Sequence, residues 1–248
     1  MDMVLLETQD LVKRYSGRVV VNKICIVVHE REIVGLLGRN GAGKTTTFRM
    51  TVGMISPDEG KVVFEGRPVT HMPMYQRARH GMGYLSQEPS VFQRLTVEQN
   101  LLAILETMSL TRRDRRRRAD ELIDQFGLTK VRKQHARVLS GGERRKLEIA
   151  RALVTNPSLI LLDEPFSGVD PIAVEDLQRE IRRLQEKGIS ILITDHNVER
   201  TLEVVNQAYI INEGQVLAYG PPGELVRNPT VRQTYLGQTF RGDEFDGN

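Results

Sequence analysis

Two short stretches of this 248-residue chain combine residue types that act on phosphate. Gly38-Arg39-Asn40-Gly41-Ala42-Gly43-Lys44-Thr45 has the spacing G-x-x-x-x-G-K-T and lies between an apolar segment, EIVGLLG, and a helically spaced one, KTTTFRMTVGM. Glycines there let the backbone bend until its N–H groups point inward at phosphate oxygens. Lys44 supplies a point charge for the β and γ phosphates, and Thr45, followed by Thr46, offers a hydroxyl to Mg²⁺. The second stretch, LILLDE (159–164), ends in two carboxylates with different work. Asp163 suits the metal, usually through water, because Mg²⁺ gives up its waters reluctantly. Glu164 can polarise an attacking water as general base, a role typically contributing ~10² to 10⁴-fold. Gln87, in GYLSQE, can orient that water or contact Mg²⁺, and His196, in ILITDH, can hydrogen-bond the γ-phosphate.

A third stretch, LSGGERRKLEIAR (139–151), opens a helix on two glycines. Backbone N–H groups there lack intrahelical partners and the helix dipole favours an anion, so Ser140, Gly141, Gly142 and Glu143 read as a second phosphate cradle without a lysine of its own. Arg144, Arg145 and Lys146 follow on its first turns, an unfavourable place for cations beside that dipole. Whose phosphate that cradle would hold is left open by spacing alone. None of the five histidines has metal-ligand spacing with another His or Cys, so no zinc site is expected.

The elements that must position these residues follow from periodicity. VLLET and VVVNKICIVV, around the Ser16-Gly17 turn, read as strands of a small sheet. EIVGLLG, SLILLDE and ISILITDH are dense apolar runs of the kind buried in a parallel sheet, and DLQREIRRLQEKG between the last two is an amphipathic helix closing on Gly188. From about 90 to 155 every periodic segment is helical, which makes that block an insertion in an α/β core. One domain is therefore expected over 4–238, its core from 4–88 and 156–238, its helical part from 89–155, with a loose polar tail at 239–248.

The run RRDRRRR (112–118) could be a patch for nucleic acid or anionic lipid. No aromatic residues interleave with the arginines for stacking on bases. Thr111 and Asp114 are spaced to start a helix whose apolar side is Leu122, Ile123 and Phe126, so a solvated helix face is the stronger reading and no nucleic-acid partner is expected.

Composition narrows the class. With 40 % apolar and 27 % charged residues and a net charge of +3, the chain is an ordinary globular sequence with no bias towards polyanions. The single Cys25 leaves no internal disulfide and fits a reducing compartment. The start, MDMVLLETQD, lacks the basic region and apolar run of a secretory signal, and no stretch approaches the ~18 apolar residues of a membrane span. Work at a membrane would be peripheral, and a cytoplasmic location is expected.

With these residues assembled, the chain resembles the ATP-binding subunits of ABC transporters from residue 4 to about 240. The motifs stand in the family's order: GRNGAGKT, Gln87, LSGGE, LILLDE, SGVD (167–170) and His196. The resemblance implies a P-loop NTPase of the ABC type: a RecA-like parallel core, an antiparallel β subdomain and an inserted helical subdomain, using ATP and Mg²⁺. It places Tyr15 where an aromatic ring stacks on adenine. It also implies a head-to-tail homodimer in which Ser140, Gly141 and Gly142 hold the γ-phosphate of ATP bound to the other copy. RARHGMGYLSQEPSVFQRLTVEQNL, DEPFSGVDPIAVEDLQ, LITDHNVERTL and YLGQTF are most similar to lipopolysaccharide-export ATPases, and next to ATPases of branched-chain amino-acid importers. In such exporters a groove near the glutamine receives a helix of the membrane-spanning subunits, and Phe92 and Arg94 would help line it here. Arg39 stands where many members have proline or serine, and Ser86 where the exporter ATPases usually have proline before the glutamine.

Overall fold

Period-two alternation in the first thirty residues builds an antiparallel pair, β1 (Val4–Tyr15) and β2 (Arg18–His29). The reversal between them places Ser16 and Gly17 at φ 48° and 81°, a turn that matches the natural strand twist. The chain runs on through β3 (Ile33–Gly38), α1 (Lys44–Val52), β4 (Glu59–Phe64), β5 (Arg67–Pro68), α2 (Met74–Arg79) and β6 (Met82–Leu85). Three helices follow: α3 (Val97–Leu105), α4 (Arg112–Gln125) and α5 (Gly141–Ala152). Then come β7 (Leu159–Asp163), α6 (Pro171–Glu186), β8 (Ser190–Thr194), α7 (Val198–Leu202), β9 (Gln207–Asn212), β10 (Gln215–Gly220) and α8 (Pro222–Arg227). The computed structural model describes residues 3–88 and 90–237. The tail expected over 239–248, residue 238 and the end of YLGQTF lie outside the described residues.

Two sheets form. One is antiparallel, in the order β2-β1-β4-β5; the other runs β10-β9-β3-β8-β7-β6 and is parallel except for the β9–β10 pair. Strands β3, β7 and β8 are buried at every position. Their alternate side chains serve two different cores. Ile33, Leu37, Ile160, Leu162, Ile191 and Ile193 pack with the helical block, whereas Val34, Leu36, Leu159, Leu161 and Leu192 pack with the antiparallel sheet. Helix α1 lies in the second core through Phe48, Met50 and Val52. Both faces of the parallel strands are thus covered, which is why they read as unbroken apolar runs.

Between β6 and β7 the described residues hold helices and no strand. Thr111 caps α4, its hydroxyl accepting from Asp114 N at 3.2 Å. Half of the arginines that follow are engaged within the chain, while Arg112, Arg113 and Arg116 are exposed. Arg117 pairs with Asp114 and Glu121, Arg118 with Glu121, and Arg115 donates to Met108 O.

Arg77, on α2, is 1 % exposed and faces only carbonyls. Its guanidinium donates to Met50 O and Thr51 O at the end of α1, and to Thr70 O and Met72 O. A cation at a helix C-terminus complements the dipole. Burial brings its pKa down to about 10, so it is charged at neutral pH. Replacing it would take the guanidinium from four carbonyls, of which Met50 O keeps the Gly53 N–H at 3.2 Å. Arg77→Met should lower unfolding stability by about 3 kcal/mol, read from a urea titration; an unchanged midpoint would contradict this clamp on α1.

Candidate active site

Parallel pairing sets Asp163 opposite Thr194 and Leu85 opposite Leu162, with Gly38 ending β3 on the far side of β8. The loops that leave β3, β6, β7 and β8 therefore emerge along one edge. They carry Gly38–Thr46, Gln87, Glu164 and His196, in the crevice where open α/β sheets bind ligands.

The 38–45 loop is shaped by its glycines. Gly41 and Gly43 hold φ values of 78° and 106°, and a Cβ on Gly43 would come within 2.7 Å of Val20 O. Ala42 N donates to Arg39 O at 3.1 Å, tightening the turn. Helix α1 begins with no side-chain cap and no acidic residue in its first turn, leaving its N-terminal N–H groups for an anion. Lys44 is buried, and its Nζ donates to Gly38 O at 2.6 Å and Arg39 O at 3.0 Å. Burial lowers its pKa, opposed by the charges of Glu164, Asp163 and Asp195. Thr45 and Thr46 are partly exposed beside it. An open cleft of about 650 Å³ reaches the loop's outer side between Arg18, Val20, Arg39, Asn40 and Asn212. Tyr15, 46 % exposed at the end of β1, presents its ring to solvent with Lys13 Nζ 5.7 Å from the centroid.

Asp163 is 4 % exposed, and Tyr84 donates to its Oδ2 at 3.3 Å. Burial raises the Asp163 pKa, and the Tyr84 bond works against that rise. The Tyr84 hydroxyl is itself pushed up to about 12, first by burial, so it stays a donor. Glu164 sits at φ 48°, a left-handed conformation that costs a non-glycine residue energy and collects at functional sites. Its backbone N–H is fixed to Thr194 O at 2.7 Å. Gln87 Nε2 donates to Glu164 Oε2 at 2.7 Å, and His196 Nδ1 lies 3.4 Å from the same oxygen. Two side chains, from the loops after β6 and β8, therefore converge on one carboxylate.

The residues present fit Mg²⁺ and a triphosphate. A glycine cradle, a buried ammonium facing carbonyls and a half-free buried carboxylate surround one space. Thr45, Gln87 and Asp163 could supply oxygen donors to the metal, which would neutralise charge between phosphates.

Residues 140–143 stand apart. Ser140 caps α5, accepting from Glu143 N at 3.2 Å, while Glu143 Oε2 accepts from Ser140 N and Oγ at 2.9 and 2.8 Å. Glu143 thus spends its carboxylate on a capping box. Among the described residues, the side-chain hydrogen bonds of 140–143 stay within the cap and do not reach the P-loop. Gly141 instead lies near Gly168 in the loop before α6, and Gly142 lies against the first turn of α6, where its Cβ would be 3.0 Å from Ala173 Cβ. The cations that follow are engaged within the chain. Arg144 donates to Leu139 O and Lys146 pairs with Asp176. Arg145, 6 % exposed, pairs with Glu148 at 2.9 Å and donates to Ser86 O and Asp163 O. Glu148 in turn accepts from Ser90 N at 3.0 Å.

Phe92 is 47 % exposed, with the Arg151 guanidinium 4.6 Å from its ring centroid. Buried Asn100 organises that turn, accepting from Phe92 N and donating to the carbonyls of Phe92, Leu95 and Thr96. His135 Nδ1 contacts Arg94 O at 2.8 Å. Sequence reading missed Tyr84, Asp195 and the Arg145–Glu148 pair. Only Asp195 carried a local signal, as an acid closing an apolar strand beside His196.

A family model described as "ABC transporter" matches residues 21–167. The "Lipopolysaccharide export system ATP-binding protein LptB" of Haemophilus influenzae is 50 % identical over 240 residues, covering 96 % of this chain and all of that protein. The protein of the same name from Acidithiobacillus ferridurans is 51 % identical over 237 residues, covering 96 % of this chain and 98 % of its own. Among solved structures, the ADP conformation of an ATP-binding cassette of an ABC transporter superposes with a TM-score of 0.86 at 27 % identity, covering 95 % of this chain and 100 % of that one. With the phosphate loop, the carboxylate strand and the fold in agreement, the chain belongs to the ABC transporter family, as an ATP-binding and ATP-hydrolysing subunit.

Proposed function

We propose that this chain powers lipopolysaccharide export as a homodimer on the cytoplasmic face of the inner membrane, beneath LptF/LptG-like membrane-spanning subunits. The convergence of Gln87 and His196 on Glu164 Oε2 carries the hydrolytic part of this reading. Identities of 50 and 51 % with two LptB proteins over 96 % of this chain support the cargo.

In this account the N–H groups of the 38–45 loop and Lys44 hold the β and γ phosphates. Tyr15 stacks on the adenine, while Arg39, Asn40, Gly41, Ala42 and Gly43 shape the backbone around the phosphates, with Thr46 beside them. Thr45, Gln87 and Asp163 would hold Mg²⁺, which would supply positive charge at the transferring phosphate. Glu164 accepts a proton from the water that Gln87 orients, and His196 steadies the γ-phosphate. Ser140, Gly141 and Gly142 present backbone N–H groups and a hydroxyl to ATP on the second copy; Glu143 sets their geometry.

The surface around that cradle supports an isologous dimer. Val138 is 62 % exposed and Ile172 76 % exposed, and they flank the touching 141–142 and 168–173 segments. Two apolar side chains left in water beside a second anion site suit a partner that covers both. The groove near Gln87, Phe92 and Arg94 would receive the membrane subunits, with Asn100 keeping Phe92 presented.

Glu164→Gln should bind ATP with unchanged affinity, lose at least ~10²-fold in turnover and accumulate as an ATP-bound dimer in sedimentation; normal turnover would remove Glu164 from the chemistry. Ile172→Asp with Val138→Asp should leave nucleotide binding by the isolated chain intact while abolishing that dimer. A dimer of unchanged affinity would refute the face assigned here. Affinity purification from membranes should bring down two different export subunits, and recovery of amino-acid permeases instead would redirect the cargo to branched-chain import.

A further inference from the structure

Asp195, between the last residue of β8 and His196, is completely buried. Its two carboxylate oxygens serve different loops. Oδ2 accepts from Phe166 N at 3.0 Å, two residues after Glu164, and Oδ1 accepts from Asn197 N at 2.8 Å, one residue after His196. His196 Nδ1 is 3.5 Å from Oδ1 and 3.4 Å from Glu164 Oε2, so the imidazole bridges the two acids.

We infer that Asp195 is the positioning residue of the hydrolytic centre, one buried carboxylate that fixes the Glu164 turn and the His196 turn to each other. The inference rests on the roles proposed above for Glu164 and His196. The geometry explains how Glu164 persists at φ 48°. Its N–H is held by Thr194 O on one side, and the chain two residues on is held by Asp195 on the other. Asn197 then caps α7 through Arg200 N, which anchors the His196 turn to a helix. Gln87 cannot substitute, because it reaches only the Glu164 side chain, from the loop after β6.

A neutral amide at this position offers one acceptor oxygen, so one of the two N–H groups would meet an NH₂ group instead. Asp195→Asn in the full-length chain should lower kcat for ATP about 10-fold or more, with KM and nucleotide affinity within about twofold. In a His196→Ala background the same change should cost less than about threefold further, because both substitutions break one unit. A kcat within about twofold of the parent, or a full multiplicative loss in the His196→Ala background, would overturn the assignment. Should Asp195→Asn fail to fold, amide hydrogen exchange of the unmodified chain decides. The N–H groups of Phe166 and Asn197 should both be protected, and exchange at the rate of exposed loop amides would contradict the clamp. Full activity in Glu164→Gln would instead defeat the site reading, whatever Asp195 does.

Discussion

The parallel register of the central strands is the constraint on which the rest of the molecule depends. Asp163 faces Thr194 across β7 and β8, and Leu85 faces Leu162 across β6 and β7. A slip of one residue would send every inward side chain to the opposite face. Here that would exchange the two cores, moving Ile160 and Leu162 from the helical block to the antiparallel sheet. Because both faces are packed, hydrophobic burial itself fixes where the strands end. Their ends place the phosphate loop, Gln87, Glu164 and His196 along one crevice.

Strand ends alone do not hold loops to a fraction of an ångström, and buried polar contacts complete the task. Arg145 and Glu148, on α5, grip both ends of the glutamine segment at Ser86 O and Ser90 N, and Arg145 reaches Asp163 O as well. The helix that opens on Ser140-Gly141-Gly142 is therefore tied to the loop carrying Gln87 and to the carboxylate strand. Motion of the Gln87 loop cannot leave α5 unaffected. A pair this buried gains little net stability over an apolar one, and its value lies in fixing one geometry. Arg151 over the Phe92 ring adds a second tie between α5 and the exposed groove.

Much of this was legible in the chain because the chemistry is local. Gly41, Gly43, Lys44 and Thr45 lie within five residues and act mostly through backbone conformation, so spacing reveals them. Asp163 and Glu164 end a strand whose burial is written in its apolar run. What could not be read depends on side chains that meet across the fold. Tyr84 reaches Asp163 only through the β6–β7 pairing, and Arg145 looked like a surface cation beside a helix dipole until its buried partner Glu148 was in place. Glu143, expected among the phosphate-binding residues, closes a capping box with Ser140. The separation of residues 140–143 from the P-loop was also invisible to periodicity, though it is what a site completed by a second copy requires.

That completion is the central claim: each ATP is held by the 38–45 loop of one copy and by Ser140, Gly141 and Gly142 of the other. The most direct measurement is specific ATPase activity of the purified chain as a function of its own concentration at saturating ATP and Mg²⁺. The account requires specific activity to climb with concentration, reach a plateau as the dimer saturates, and vanish in the limit of isolated chains. A specific activity that stays constant down to concentrations where sedimentation shows only monomer would contradict it.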